Sequence, residues 1–164
     1  EPLKNLDRAS CVIYTKTENY KTPTIHSEIQ SLLKTNPINS SLLPILMRYN
    51  SSNYQKTLIP DKPMFAFCGI AEPNSFINTA KGLSLKIKGR KFFQDHQEYT
   101  EAVIKELSEQ IKACSINHVV TTEKDMVKLP KSFLAEFEVY VIKIEVIFEN
   151  ESAFQDIIQP ILLN

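Results

Sequence analysis

The run FFQDHQEYT (92–100) places a carboxylate, Asp95, directly before an imidazole, His96. Such a pair can hold, orient or move a proton near neutral pH. Asp95 followed three residues later by Glu98 also has the spacing of a helix N-cap. On that reading His96 lies in the first helical turn, where the positive end of the helix dipole favours the neutral ring. A second polar group, Thr121-Thr122-Glu123-Lys124-Asp125, follows an apolar run. Its Thr-x-x-Asp spacing fits a cap, yet five consecutive polar residues exceed what one cap needs. Lys124 has the chemistry to meet a phosphate, and Thr121 or Thr122 to donate to a sugar or phosphate oxygen. A third corner, Gly69-Ile70-Ala71-Glu72-Pro73, joins an apolar run to a helix start. Glycine there permits close approach to the backbone, and free N–H groups at a helix start suit an anion.

The elements around these residues alternate between strand and helix patterns. CVIYT (11–15) reads as a short strand after the weakly helical LKNLDRAS. Thr22-Pro23 predicts a helix start, with Ile25, Ile29, Leu32 and Leu33 at helical spacing. LPILMRY (43–49) reads as a strand, and Tyr54 to Ile59 as a short one in turn-rich surroundings. MFAFCGI (64–70) has the continuous apolar character of a strand covered on both faces. A helix from Glu72-Pro73 carries Phe76, Ile77, Ala80 and Leu83 on one side, and Gly82-Leu83 predicts a left-handed stop. LSLKIKGRKFF (83–93) alternates as a strand, which would put Lys86, Lys88 and Arg90 on one face. Helix 100–113 turns Val103, Ile104, Leu107 and Ile111 inward. HVVTT (118–122), a helical turn over EKDMVKL, the long strand VYVIKIEVIF (139–148) and a final helix follow, with Pro160 expected to end or kink that helix. The alternation predicts an α/β fold: a Rossmann-like, open, mostly parallel sheet in three layers with helices on both faces, plus a C-terminal strand and helix. Ligands of such sheets sit beyond the carboxyl ends of the parallel strands, where Gly69, Asp95-His96 and Thr121–Asp125 all fall.

Composition narrows the function classes. Lys+Arg and Asp+Glu balance at 19 each, so no net field draws nucleic acid or anionic lipid. Cys11, Cys68 and Cys114 lie far apart in apolar surroundings and lack disulfide or zinc spacing; they read as core residues of a reduced, cytoplasmic protein. No apolar run is long enough to span a bilayer. The phosphate loop G-x-x-x-x-G-K-[ST] and the dinucleotide fingerprint G-x-G-x-x-G are both absent, and no metal site is predicted. Of the other histidines, His26 reads as exposed and His118 as a strand-entry residue. The chain opens at Glu1-Pro2 rather than at a methionine, which reads as a piece of something longer.

Three blocks taken together, FAFCGIAEPNSF (65–76), GRKFFQDHQEYT (89–100) and VVTTEKDMVKLP (119–130), resemble the C-terminal part of the tetraacyldisaccharide 4′-kinase family. The opening EPLKNLDRASCVIY looks like the family's R-E-P-L segment without its arginine. The resemblance implies transfer of the γ-phosphate of ATP to the 4′-hydroxyl of a lipid A disaccharide precursor. It implies two α/β domains with the reaction in the cleft between them, at the cytoplasmic face of the bacterial inner membrane through peripheral association. The present chain matches the second domain as a single α/β unit, 1–164. The P-loop domain, which binds most of the ATP and Mg, would be supplied in cis, and residues 149–164 would pack against it. On that basis the chain alone is expected to be inactive, with no nucleic-acid partner.

The resemblance also assigns residues. His96 matches a histidine that assists the catalytic carboxylate of the other domain, with Asp95 as its helix cap and supporting partner. Glu1 matches a cleft glutamate, and Thr121, Thr122, Glu123, Lys124 and Asp125 match the family's T-T-E-K-D block without separate roles; with Gly69, placed by its strand-end corner, they are the candidate substrate- or nucleotide-binding residues. The competing reading is a stand-alone, non-catalytic α/β module that binds a nucleotide or sugar phosphate.

Overall fold

The computed structural model describes residues 3–9, 11–15, 27–33, 37–50 and 53–162. Glu1, His26 and the predicted Thr22-Pro23 helix start lie outside these. The chain forms two compact units, one of residues 44–143 and the other of residues up to 43 together with those from 144 onward.

Within 44–143 the strands are the second half of β2 (Ile38–Asn50), β3 (Asn53–Lys56), β4 (Pro63–Cys68), β5 (Lys86–Phe92), β6 (His118–Thr122) and the first half of β7 (Glu138–Phe148). Their order is β2-β7-β6-β4-β5, with β3 beside β2. The pairs β4–β5, β4–β6 and β6–β7 are parallel, while β2–β3 is antiparallel. The connecting helices are α2 (Pro73–Gly82), α3 (Glu101–Ala113), α4 (Glu123–Met126) and α5 (Lys131–Glu136), the elements numbered from the N-terminus.

Period-two alternation in the strands builds a core on each face of the sheet. Phe65, Phe67, Val119, Val139 and Val141 pack with Leu107 and Ile111 of α3 and Phe133 of α5. Met64, Ala66, Cys68, Val120, Tyr140 and Ile142 pack with Phe76, Ile77 and Ala80 of α2. Strands buried on both sides require the near-continuous apolar runs seen in β4 and β6. The three-layer α/β architecture expected of the sequence is therefore present.

Several local expectations are corrected. The left-handed residue after α2 is Ser84 (φ 59°), not Gly82, which still belongs to the helix. Leu85 N–H donates to the Ala80 carbonyl and Ser84 N–H to the Lys81 carbonyl, so the helix closes two residues later than the glycine suggested. α3 ends the same way at Ser115 (φ 55°), with Ile116 N–H donating to Ile111. In β5 the pairing jumps from Met64↔Ile87 to Phe65↔Gly89, so Lys88 is an extra residue. A bulge reverses the alternation beyond it. Lys86 and Arg90 consequently lie on opposite faces rather than one.

In the other unit, β1 (Ile13–Tyr14) pairs in parallel with the start of β2, Ile13↔Ile38 and Tyr14↔Asn39. β2 begins five residues before the predicted strand, within the Asn/Ser cluster. Buried Ser40 is accommodated because its hydroxyl donates to the Tyr14 carbonyl (3.0 Å). A 3-10 helix covers Leu3–Arg8, and α1 covers Ser27–Leu32. α6 (Glu151–Leu162) is capped by Asn150 Oδ1, which accepts from Ala153 N–H (3.0 Å), and it continues through Pro160. Phe148 and Phe154 stack with ring centroids 3.9 Å apart.

Candidate functional site

Three corners converge beyond the carboxyl ends of β4 and β6. Asp125, in α4, is fully buried, and its Oδ2 accepts from Gly69 N–H (2.9 Å) and from the Thr122 hydroxyl (2.7 Å). Asp125 N–H returns a bond to Thr122 Oγ1 (3.2 Å), so Thr122 is the N-cap of α4. The Thr-x-x-Asp spacing thus does form a cap, and the carboxylate also reaches across to the end of β4. A Cβ at Gly69 would lie 3.1 Å from the Gln94 carbonyl oxygen and 3.2 Å from both Asp125 Oδ1 and Gln97 Cβ. Glycine is favoured there by the tight space and not by its backbone angle, since its φ is not positive.

The Asp95-His96 loop follows β5 and meets the same helix. Lys124 Nζ donates to Asp95 Oδ1 (2.5 Å), and Lys128 Nζ donates to the Gln97 carbonyl (3.1 Å). The Lys124 ammonium, together with the His96 backbone N–H, holds the exposed Asp95 carboxyl below the usual range. His96 N–H donates to Asp95 Oδ1 (3.0 Å), whereas His96 Nε2 stands 3.8 Å from Asp95 Oδ2, beyond hydrogen-bond reach. The ring is 81% exposed.

The helix-cap role expected of Asp95 is not observed. α3 starts at Glu101, and Thr100 is its N-cap, accepting from Val103 N–H (3.4 Å). His96 therefore sits in a turn before the helix, in the left-handed region at φ 62°, and not in a first helical turn. The cause lies in Tyr99, whose ring packs edge-on against Phe67 and Phe93 and fixes the chain path before α3 begins.

The sequence-predicted residues divide by burial. Thr121 and Asp125 are fully buried, and Thr121 Oγ1 has no hydrogen-bond partner. Thr122 and Lys124 are half-buried, while Glu123, Asp95 and His96 are exposed. Tyr99, Gln97 and Lys128 join the cluster without having been singled out by sequence. The Tyr99 hydroxyl lies beside Asp125, near enough for the carboxylate to oppose its ionisation, yet short of good hydrogen-bond geometry. Burial and then that charge keep the phenol protonated, and the same two causes push the Cys68 thiol up to about 12. The four-residue spacing of Lys124 and Lys128 was the available signal for the second lysine.

The arrangement offers an exposed imidazole on a pinned loop and an ammonium beside it. Asp125 Oδ2 is taken by Gly69 and Thr122 and Asp95 Oδ1 by Lys124, while the buried Asp125 Oδ1 has no hydrogen-bond partner. Among the described residues no three His, Cys, Asp or Glu side chains stand close enough to hold a metal.

Comparison with known proteins identifies the family. Residues 1–163 match the family model described as Tetraacyldisaccharide-1-P 4'-kinase. The tetraacyldisaccharide 4'-kinase of Desulfotalea psychrophila is 32% identical over 138 residues, covering 82% of this chain and 39% of that protein. Its counterpart in Rickettsia felis is 34% identical over 127 residues, or 77% of this chain and 34% of that protein. The one from Leptospira biflexa is 28% identical, covering 96% of this chain and 49% of its own. The chain spans about a third to a half of the length of these curated relatives. The crystal structure of LpxK from Aquifex aeolicus in complex with ATP superimposes with a TM-score of 0.65 at 22% identity, covering 98% of this chain and 45% of that one, which establishes a shared fold. Matched over nearly its whole length, the chain belongs to the tetraacyldisaccharide-1-phosphate 4′-kinase family.

Proposed function

We propose that this chain is the C-terminal domain of a kinase that transfers the γ-phosphate of ATP to the 4′-hydroxyl of a tetraacyldisaccharide 1-phosphate, a lipid A precursor. The observation that carries this reading is the meeting of Gly69, Asp95-His96 and Thr122–Lys124 beyond the strand ends, in a member of this family. Phosphoryl transfer depends mainly on positioning and on neutralising charge. The exposed His96 ring is suited to hydrogen-bond a carboxylate presented by the rest of the protein and to hold it toward the acceptor hydroxyl. Among the described residues no group of three metal-ligating side chains comes together, so Mg and the ATP phosphates are assigned to a P-loop domain in the remaining part of the longer relatives.

Other parts of the reading follow from this one. Glu1, outside the described residues, is assigned to the cleft. Residues 149–164, including α6, are assigned a packing surface on the P-loop domain. No helix of the described residues is long and apolar enough to cross a membrane. Contact with the cytoplasmic face of the inner membrane is therefore assigned to the rest of the protein, as a peripheral association.

The test is lipid phosphorylation by the intact protein. His96→Ala is expected to lower kcat by up to about 100-fold, the scale of a misplaced reacting group. The thermal midpoint should move little, since the ring is 81% exposed. Residues 1–164 alone should transfer no phosphate. An unchanged kcat in the variant would remove His96 from the reaction, and transfer by the isolated chain would overturn the division of labour.

A further inference from the structure

Building on the role given to His96 above, we propose that Lys124 and Lys128 form a two-point clamp that sets the orientation of its imidazole. The two lysines stand four residues apart, on α4 and on the turn that continues it, where Lys128 N–H donates to the Asp125 carbonyl (3.0 Å). A four-residue separation puts both side chains on one side of a helical turn. Each holds a different neighbour of His96. Lys124 binds the side chain of Asp95, the residue before it, and Lys128 binds the backbone carbonyl of Gln97, the residue after it. Asp95 Oδ1 also accepts His96's own N–H (3.0 Å), so a single oxygen connects lysine, loop and histidine backbone.

His96 needs such support. Its φ of 62° is a left-handed conformation that a side chain with a Cβ disfavours, and it persists only where the surroundings impose it. The ring itself is 81% exposed and does not reach Asp95 well, so no packing directs it. Its direction is set by the backbone, and the lysines fix that backbone on both sides. The base of the clamp is itself anchored, because buried Asp125 ties α4 to Gly69 and Thr122. Lys124 and Lys128 are accordingly positioning residues, and neither needs to touch nucleotide or lipid.

The experiment is a mutant cycle in the intact protein, with Lys124→Met and Lys128→Met singly and together, in both the parent and the His96→Ala backgrounds. The double variant is expected to lower kcat about tenfold or more, as a misplaced reacting group does. Its KM for ATP should change less than about twofold, because ground-state binding is untouched. The same pair of changes should cost nothing further once His96 is alanine, and Lys124→Arg should restore most of the rate. An equal loss in the His96→Ala background would overturn the clamp, as would a raised KM for ATP with kcat unchanged, which would mean that the lysines contact nucleotide. A second readout does not depend on activity. The His96 ring ¹H–¹³C cross-peak should be single and sharp in the parent protein and should broaden or multiply in the double variant, with the remaining spectrum still dispersed. A protein that phosphorylates no lipid would defeat the functional reading alone, and the ring spectrum would still decide the clamp. An unchanged ring spectrum would overturn it.

Discussion

Asp125 shows how much one side chain can organise. A carboxylate removed from water is costly unless its oxygens are used. Here Oδ2 takes Gly69 N–H and the Thr122 hydroxyl, so the ends of β4 and β6 are fastened through one atom. Asp125→Ala would leave the buried Gly69 N–H and the half-buried Thr122 hydroxyl unserved, and its expected cost is about 2–3 kcal/mol, read as a lower urea midpoint. A loss below about 0.5 kcal/mol, the level of an ordinary surface change, would show that the corners are held elsewhere. Half of this residue's role was legible in sequence. Thr122-x-x-Asp125 announced a cap, which local spacing encodes. The bond to Gly69, 56 positions earlier, depends on two parallel strands ending side by side, and no local pattern carries that. Asp95 failed as a cap for a related reason. The spacing Asp95-x-x-Glu98 offered a cap, and the packing of Tyr99 against Phe67 and Phe93 places the helix start after it, with Thr100 as the N-cap.

Among the elements, helix ends and strand pairing set what could be foreseen. The apolar stripes of α2 and α3 and the continuous apolar runs of β4 and β6 were readable because one-sided burial repeats with the helical period and two-sided burial leaves no polar gap. The bulge in β5 was not, since an extra residue becomes visible only against its partner strand. α5 was missed because it has six residues, too few for a periodic signal, although Phe133 is buried in the core. The stops of α2 and α3 carry a testable weakness. Ser84 and Ser115 occupy left-handed positions that glycine fills without a Cβ clash. Each serine-to-glycine change is expected to stabilise the fold by about 0.5–1 kcal/mol, the clash relieved less the extra chain freedom of glycine. Denaturant melts of Ser84→Gly and Ser115→Gly check this, and a destabilised variant would contradict it.

Across the molecule, acid stability should depend in part on Glu138, at the start of β7. Burial opposes its ionisation. The Tyr140 hydroxyl, which donates to it (2.5 Å), and the charges of Arg48 (3.1 Å) and His118 (3.3 Å), with Lys62 near, outweigh that and lower its pKa. A carboxyl whose pKa is lower in the folded state stabilises the fold above its unfolded pKa and ceases to as pH falls through the folded value. Glu138→Gln should therefore be less stable than the parent at neutral pH, with the difference shrinking as the medium becomes more acidic than the ordinary carboxylate range. A difference independent of pH would refute the linkage. A broader consequence follows from the three left-handed residues, which among the described positions are two serines and a histidine, in a chain with only 3 glycines. Glycine-poor chains have fewer conformations open to them when denatured, so ordering them loses less entropy. At the two serines, strained corners are exchanged for a stiffer disordered ensemble, and that exchange can be reversed by mutation. At His96 it cannot, because the only residue free of that strain is the one that carries no imidazole.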